Sequence, residues 1–392
     1  MPLAPVNDKV SIDDLTIDPY GFYRLARANH PVVTVKSVGR TMLTKAVDTK
    51  FAKDNWEIFS SDDPNTPMKR AFQAHTLMRK DGADHMRERN SMTAAFSQRN
   101  IRDVWVPLYE TIAAEYIGRL PRGETVELFS ALAAPVAARC LSHLIGLEHA
   151  SDAELCRWSQ TLIDGAGNFG WRDEPFAASD TANEEINIAI QKTVDAHGTN
   201  DAPHAIAAML NLDDPMELEV IRSNIKIVIG GGINEPRDAL LTAIYGMLTN
   251  PDQRADVVAN PALWTNVFEE SVRWVAPIQV SSRRLNEDVE INGLDIPKGD
   301  IVMTIQASAN HDEDVYENGH LFDIHRPKKP HQAFGNGPHF CLGTHIARRT
   351  VADILLPMLF DRFPNMELDE TDPVKFRGFG FRGPINMPVR LN

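Results

Sequence analysis

The pattern of apolar and polar positions changes character along the chain. Over residues 31–45 the run PVVTVKSVGRTMLTK sets β-branched residues on either side of a glycine, which predicts a hairpin. From 101 to 250 the spacing becomes helical. Leu108, Ile112 and Tyr116 share one face, and Leu141, Leu144 and Ile145 share another. A second β region is predicted over 278–303, where VEINGLDIPKGDIVM carries an Asn-Gly turn signal. A helix is expected after Cys341 and a last strand over 385–391. No internal repeat or low-complexity linker divides the chain, so the pattern predicts a mainly α fold with small β-sheets at one side, as a single domain over 1–392.

The longest helical stretch is unusual. Ile221, Ile225, Ile229 and Ile233 recur every four residues, and Leu241, Ile244 and Leu248 continue the face. Within it stand Gly230, Gly231, Gly232 and Pro236. By propensity these cost a helix interior roughly 6 kcal/mol relative to alanine. The expectation is a backbone that opens or approaches a neighbour closely. Pro236 has no N–H, so the Gly232 carbonyl loses its helical partner and is left to hold water or another donor.

Charge narrows the partners. Forty Lys and Arg against 54 Asp and Glu give a formal charge of −14, which argues against nucleic acid or an anionic membrane as partner. Three cysteines cannot build a disulfide framework, which points to a reducing compartment. The segment MPLAPVNDKVSIDDL holds no apolar run long enough for a signal or an anchor, and no later stretch reaches membrane-span length, so a cytoplasmic location is expected. Against the acidic whole, residues 69–102 hold eight basic residues (Lys69, Arg70, Arg79, Lys80, Arg87, Arg89, Arg99, Arg102) and three acids (Asp81, Asp84, Glu88). That run, with Arg348 and Arg349, is a candidate docking face for an acidic partner.

The densest chemistry lies in HQAFGNGPHFCLGTHIARRT, residues 331–350. Cys341 ends a glycine-rich loop directly before a helix, where terminal amides and the helix dipole favour thiolate. Such a sulfur can serve as a nucleophile, a metal ligand or an axial haem ligand. Zinc is disfavoured, since Cys341, His339 and His345 lack a fourth ligand and no CxxC pair exists.

Phe334-x-x-Gly337-x-His339-x-Cys341-x-Gly343, continuing to Ala347, resembles the haem-ligating signature of the cytochrome P450 family. Glu270-Ser-Val-Arg273 resembles that family's Glu-x-x-Arg helix, and ASANHDEDVYENG and FDIHRP look like its following segments. The resemblance spans essentially the whole chain. It implies the P450 fold, with haem b between the long distal helix and the cysteine-loop helix. It makes Cys341 the axial ligand of the iron, with Phe334 and Gly343 against the haem. His85, Arg89, Arg283 and His339 become donors to its two propionates.

At the oxygen side this chain departs from most relatives, which carry an acid and then a threonine to relay protons to dioxygen. Here Asn234 takes the acid's place and Glu235 the alcohol's. A buried carboxyl at Glu235 can pass protons if desolvation raises its pKa. The Asn-Glu-Pro run is similar to a minority of bacterial members, including aromatic O-demethylases and the haem domains of self-sufficient dealkylases. Matching to that branch puts Phe72 and Phe381 at aromatic clamping positions and Ala166 where a gap would admit a ring substituent, with Ile233 and Val280 completing the pocket. The resemblance thus implies a monooxygenase that hydroxylates or O-dealkylates a small aromatic substrate such as a methoxyphenol. It would use dioxygen and NAD(P)H-derived electrons from a separate flavin and iron–sulfur reductase or ferredoxin, since the chain ends soon after its last strand and leaves no room for a fused one. A peroxide-driven oxygenase and a non-catalytic haem sensor are the alternatives.

Overall fold

The computed structural model describes residues 2–198 and 201–392, and helices dominate it. The main core joins the helices Val106–Gly118, Ala134–Ile145, Asp152–Ala166, Asp173–Ala196 and Leu218–Thr249 to a helical stretch from 344 to 362. Buried Tyr109, Leu141, Leu162, Ile186, Ile225 and Val351 meet there. Their 3.6-residue spacing gives each helix one apolar stripe, and packing these stripes together removes them from water.

The hairpin expected over 31–45 is present as Val32–Val35 and Arg40–Leu43, paired antiparallel. It belongs to a six-stranded sheet in the order Val6–Asn7, Val32–Val35, Arg40–Leu43, Ile301–Ile305, Val280–Leu285, Phe59–Ser60. Asn292 and Gly293 turn between Val289–Ile291 and Leu294–Ile296 with φ of 53° and 73°, the left-handed pair that such a hairpin requires. The last strand, Pro388–Arg390, lies between Glu367–Leu368 and Thr125–Glu127.

The long helix decides between the two expectations: Leu218–Thr249 runs without a break through its three glycines and Pro236, so the backbone does not open but approaches its neighbours closely. The glycines serve close packing. A Cβ on Gly232 would stand 2.6 Å from Leu141 Cδ1, and one on Gly230 would stand 3.0 Å from Phe72 Cζ. Ser159 Oγ, from the neighbouring helix, donates to the carbonyls of Ile229 at 2.8 Å and Gly230 at 3.2 Å. Packing and these bonds offset the poor propensity.

Behind the long helix lies a buried polar knot. Arg273 forms a two-pronged pair with Glu270, both bonds 2.6 Å, while its remaining N–H groups reach the carbonyls of Asn310, Gly319 and Leu321. Glu270 also accepts from the Asp323 N–H and from Arg326. The Glu-x-x-Arg helix is thereby tied to the loop that leads to the cysteine.

Candidate active site

A cavity of about 350 Å3 opens between the long helix and the cysteine loop. The loop is closed by the Cys341 N–H, which donates to the Phe334 carbonyl at 2.9 Å. Gly337 has φ of +63°, and a Cβ there would stand 2.6 Å from the Lys53 carbonyl, so no other residue fits. The Cys341 side chain faces the cavity rather than packing into the core. Burial from bulk water pushes its thiol up, against hydrogen bonds from Gly343 and Thr344 that pull it down. In the protein alone desolvation therefore outweighs the helix N-terminus on which the thiolate expectation rested.

The long helix presents one stripe to this space: Ile227, Val228, Gly231, Gly232, Glu235, Pro236 and Ala239. Both carboxyl oxygens of Glu235 are buried and find no hydrogen-bond partner among the described residues. Burial pushes its pKa up to about 8, so the group is protonated at neutral pH.

At another edge of the cavity basic groups converge. His85, Arg89, Arg283 and His339 all line it. The His85 and His339 rings lie 4.1 Å apart, and His339 Nε2 is 3.2 Å from Asp81 Oδ1 and 3.0 Å from Ser61 Oγ. Burial works to raise the Asp81 pKa, but hydrogen bonds from His339, Ser60 and Ser61 hold it at about 2. Burial, with His339 and Arg89 nearby, lowers His85 to about 4, and neither of its ring nitrogens has a partner among the described residues. Two more cations, Lys53 and Arg79, point into the same edge. A glycine-rich loop offering one sulfur, facing a cavity edged by basic groups of which His85 and Lys53 have no partner among the described residues, fits a haem with its two carboxylates.

The expected site residues divide. Glu235, Phe334, Gly343, Ala166, Val280 and Phe381 line the cavity together with Cys341 and the four basic positions. Asn234, Phe72 and Ile233 do not. Asn234 is turned away and accepts from Arg237 Nη1 at 2.6 Å, within a cluster that includes Asp238 and Gln160. Phe72 is fully buried against Gly230, and Ile233 is fully buried in the main core. The second ring at the Phe381 end is Phe169, which stands beside Gly380 and edge-on to Phe379 at 5.5 Å. Nothing in the sequence pattern singled out Phe169 or Lys53, and Arg79 read as a surface charge.

The structure also shows what the basic residues of the candidate docking face meet. Arg79 and Arg89 belong to the cavity, while Arg70, Lys80, Arg87 and Arg102 pair with Asp180, Glu88, Asp214 and Asp103. Arg348 and Arg349 pair with Glu269 and Asp353. Lys69 and Arg99 remain exposed.

The fold and the cavity define a haem-thiolate type of protein, and comparison with known proteins agrees. The family model described as Cytochrome P450 matches residues 255–381, the stretch that holds Glu270, Arg273 and Cys341. The chain is similar to the 6-deoxyerythronolide B hydroxylase of Saccharopolyspora erythraea, 26% identical over 403 residues that cover 97% of this chain and 98% of that protein. It is similar to the 2-hydroxy-5-methyl-1-naphthoate 7-hydroxylase of Streptomyces carzinostaticus at 27% identity, covering 88% of this chain and 85% of the relative. Its fold matches the ligand-free structure of cytochrome P450 TbtJ1 with a TM-score of 0.86 at 24% identity, over 98% of this chain and 100% of that one. The family model and these relatives are all cytochromes P450, which marks the chain as a monooxygenase that binds haem b; proteins of that family in general take dioxygen and electrons from a redox partner. Among the described residues no helix is long and apolar enough to cross a membrane.

Proposed function

We propose that this chain, acting as one domain, hydroxylates or O-dealkylates a small aromatic substrate such as a methoxyphenol, with Glu235 as the acid that delivers protons. The carrying observation is the Glu235 carboxyl, buried without a partner on the cavity stripe of the long helix. When bound, the haem supplies the iron centre at which dioxygen is reduced and one oxygen atom is transferred. Cys341 would supply a thiolate to the iron, and His85, Arg89, Arg283 and His339 would hold the propionates. The apolar walls and the Phe169 and Phe381 rings suit a ring-shaped substrate. The name of the naphthoate hydroxylase supports an aromatic substrate class. Hydroxylating an aryl methyl ether at its methyl carbon consumes dioxygen, two electrons and two protons. It yields water and a hemiacetal that collapses to the phenol and formaldehyde. The electrons come from NAD(P)H through a separate reductase or ferredoxin.

Because Glu235 holds its proton below about pH 8, proton delivery is present at neutral pH and fades as pH rises through that value. Glu235→Ala is expected to lower the coupling of NADH oxidation to product by roughly tenfold or more and to raise peroxide release. Glu235→Gln should lose the fall in coupling above pH 8. Equal coupling and an unchanged pH profile in both variants would take Glu235 out of the relay. Peroxide-supported turnover that matches the NADH-driven rate would favour the peroxide-driven reading.

Ala166 is the last residue of its helix and lines the cavity. Ala166→Phe is expected to weaken binding of ring-substituted methoxyphenols by about 1–3 kcal/mol more than that of the unsubstituted parent. Dissociation constants from substrate-induced shifts of the haem band measure this. An equal loss for both ligands would mean that the residue does not meet the substituent.

A further inference from the structure

The four basic positions implied by the family signature do not account for all the positive charge at their edge of the cavity. Lys53, near the end of the helix Ala46–Asp54, is 2% exposed and lines the cavity. Its Nζ has no hydrogen-bond partner among the described residues. The contact between its carbonyl and Gly337 holds this lysine against the cysteine loop. Arg79 lies across the same edge. Its Nε has no partner among the described residues, and its Nη1 reaches only the carbonyls of Ser61 at 3.5 Å and Ser282 at 3.4 Å, both at the long limit of a hydrogen bond.

Both cations stand near Arg283, whose pKa burial and Arg79 lower to about 10. Lys53, Arg79, Arg89 and Arg283 thus bring four basic groups to one edge, and burial there works against the charged form of each. Of the carboxylates near these cations, Asp81 is engaged by Ser60, Ser61 and His339, Asp63 by Arg40 and Asp54 by Lys50. Cations kept out of water without a counter-charge are costly, and a fold retains them where a bound anion offsets that cost. A haem brings two carboxylates on flexible arms.

We propose that Lys53 and Arg79 are two further ligands of the haem propionates, so that six basic side chains rather than four grip the acidic edge of the haem. Lys53 reaches it from the helix beside the cysteine loop, and Arg79 from the turn Leu77–Arg79 beside Ser282. The inference rests on the haem binding that family membership carries and is independent of the substrate and of Glu235.

The test uses purified holoenzyme: wild type, Lys53→Met, Lys53→Arg and Arg79→Met. Haem content and the thiolate spectrum of the wild type are recorded first, so that a failure of the haem reading is told apart from a failure of this inference. Two quantities are then measured: the rate of haem transfer to an excess of a haem-scavenging globin, and the propionate bands in resonance Raman. Both methionine variants are expected to lose haem about tenfold faster or more and to shift the propionate bands, with Lys53→Arg within about threefold of wild type. Haem loss within about twofold of wild type, with unmoved bands, overturns the proposal. Faster loss with unmoved bands also overturns it, because that result reports a loosened fold and not a lost contact.

Discussion

Replacing Cys341 with alanine is expected to abolish the thiolate signature of the reduced carbon-monoxide complex and, with it, monooxygenase turnover. Among the described residues no other thiol is placed to take over. Cys140 also borders the cavity, but burial pushes its thiol above the titratable range, and its carbonyl is held by the Tyr109 hydroxyl on the side of the helix Ala134–Ile145. Cys156 is half-buried on another helix and does not line the cavity. Neither sits on a glycine-rich loop with amides aimed at the sulfur. The measurement is the difference spectrum of the reduced protein with carbon monoxide. An unchanged spectrum in Cys341→Ala would falsify the assignment of the ligand.

Arg273→Ala is expected to cost about 3–5 kcal/mol of stability, the usual result of removing one member of a buried ion pair, with Glu270 left to the longer Arg326 contact at 3.3 Å. The paired side chains are 5% and 3% exposed, so little water would reach Glu270 once Arg273 is gone. The carbonyls of Asn310 and Gly319 would lose their Arg273 donor at the same time, while that of Leu321 keeps Arg326. A loss of that size is a large part of the stability of an ordinary domain. Arg273→Lys keeps the charge but cannot form the two-pronged bond to Glu270 or reach three carbonyls at once, so it should recover only part of the loss. Denaturant midpoints and the haem content of the purified variants measure both. A midpoint within error of wild type for Arg273→Ala would show that the network does not brace the fold.

The shape of the cysteine loop is legible in the sequence because its information is local. Residues 334–343 fold onto themselves, with the Cys341 N–H on the Phe334 carbonyl, so their spacing along the chain already describes their arrangement. The Glu270–Arg273 pair is likewise one helical turn. The charge balance of the basic run was not legible, for the opposite reason. A run of basic residues says nothing about which acids the fold brings to it, and Asp180 and Asp214 come from segments more than a hundred residues away.

From the sequence alone came the helical and strand periods, the Asn-Gly hairpin, the cysteine loop and the presence of an acid in the glycine-bearing helix. Each depends on neighbours a few residues apart. What the tertiary structure decided was the rotation of that helix about its axis. Asn234 and Glu235 are adjacent, yet a step of one residue turns a side chain through roughly 100°, so Glu235 meets the cavity while Asn234 meets Arg237. The same rotation sends Ile233 into the core and brings Gly231 to the cavity. Packing against Leu141, Phe72 and Ser159 sets that angle, and these contacts come from three separate helices. Lys53 and Phe169 reach the site in the same way, carried by elements whose own sequence is that of an ordinary amphipathic helix and an ordinary loop. A hydrophobic period shows that a helix has an apolar face, but only the neighbours that cover that face determine which residues are left to line a cavity.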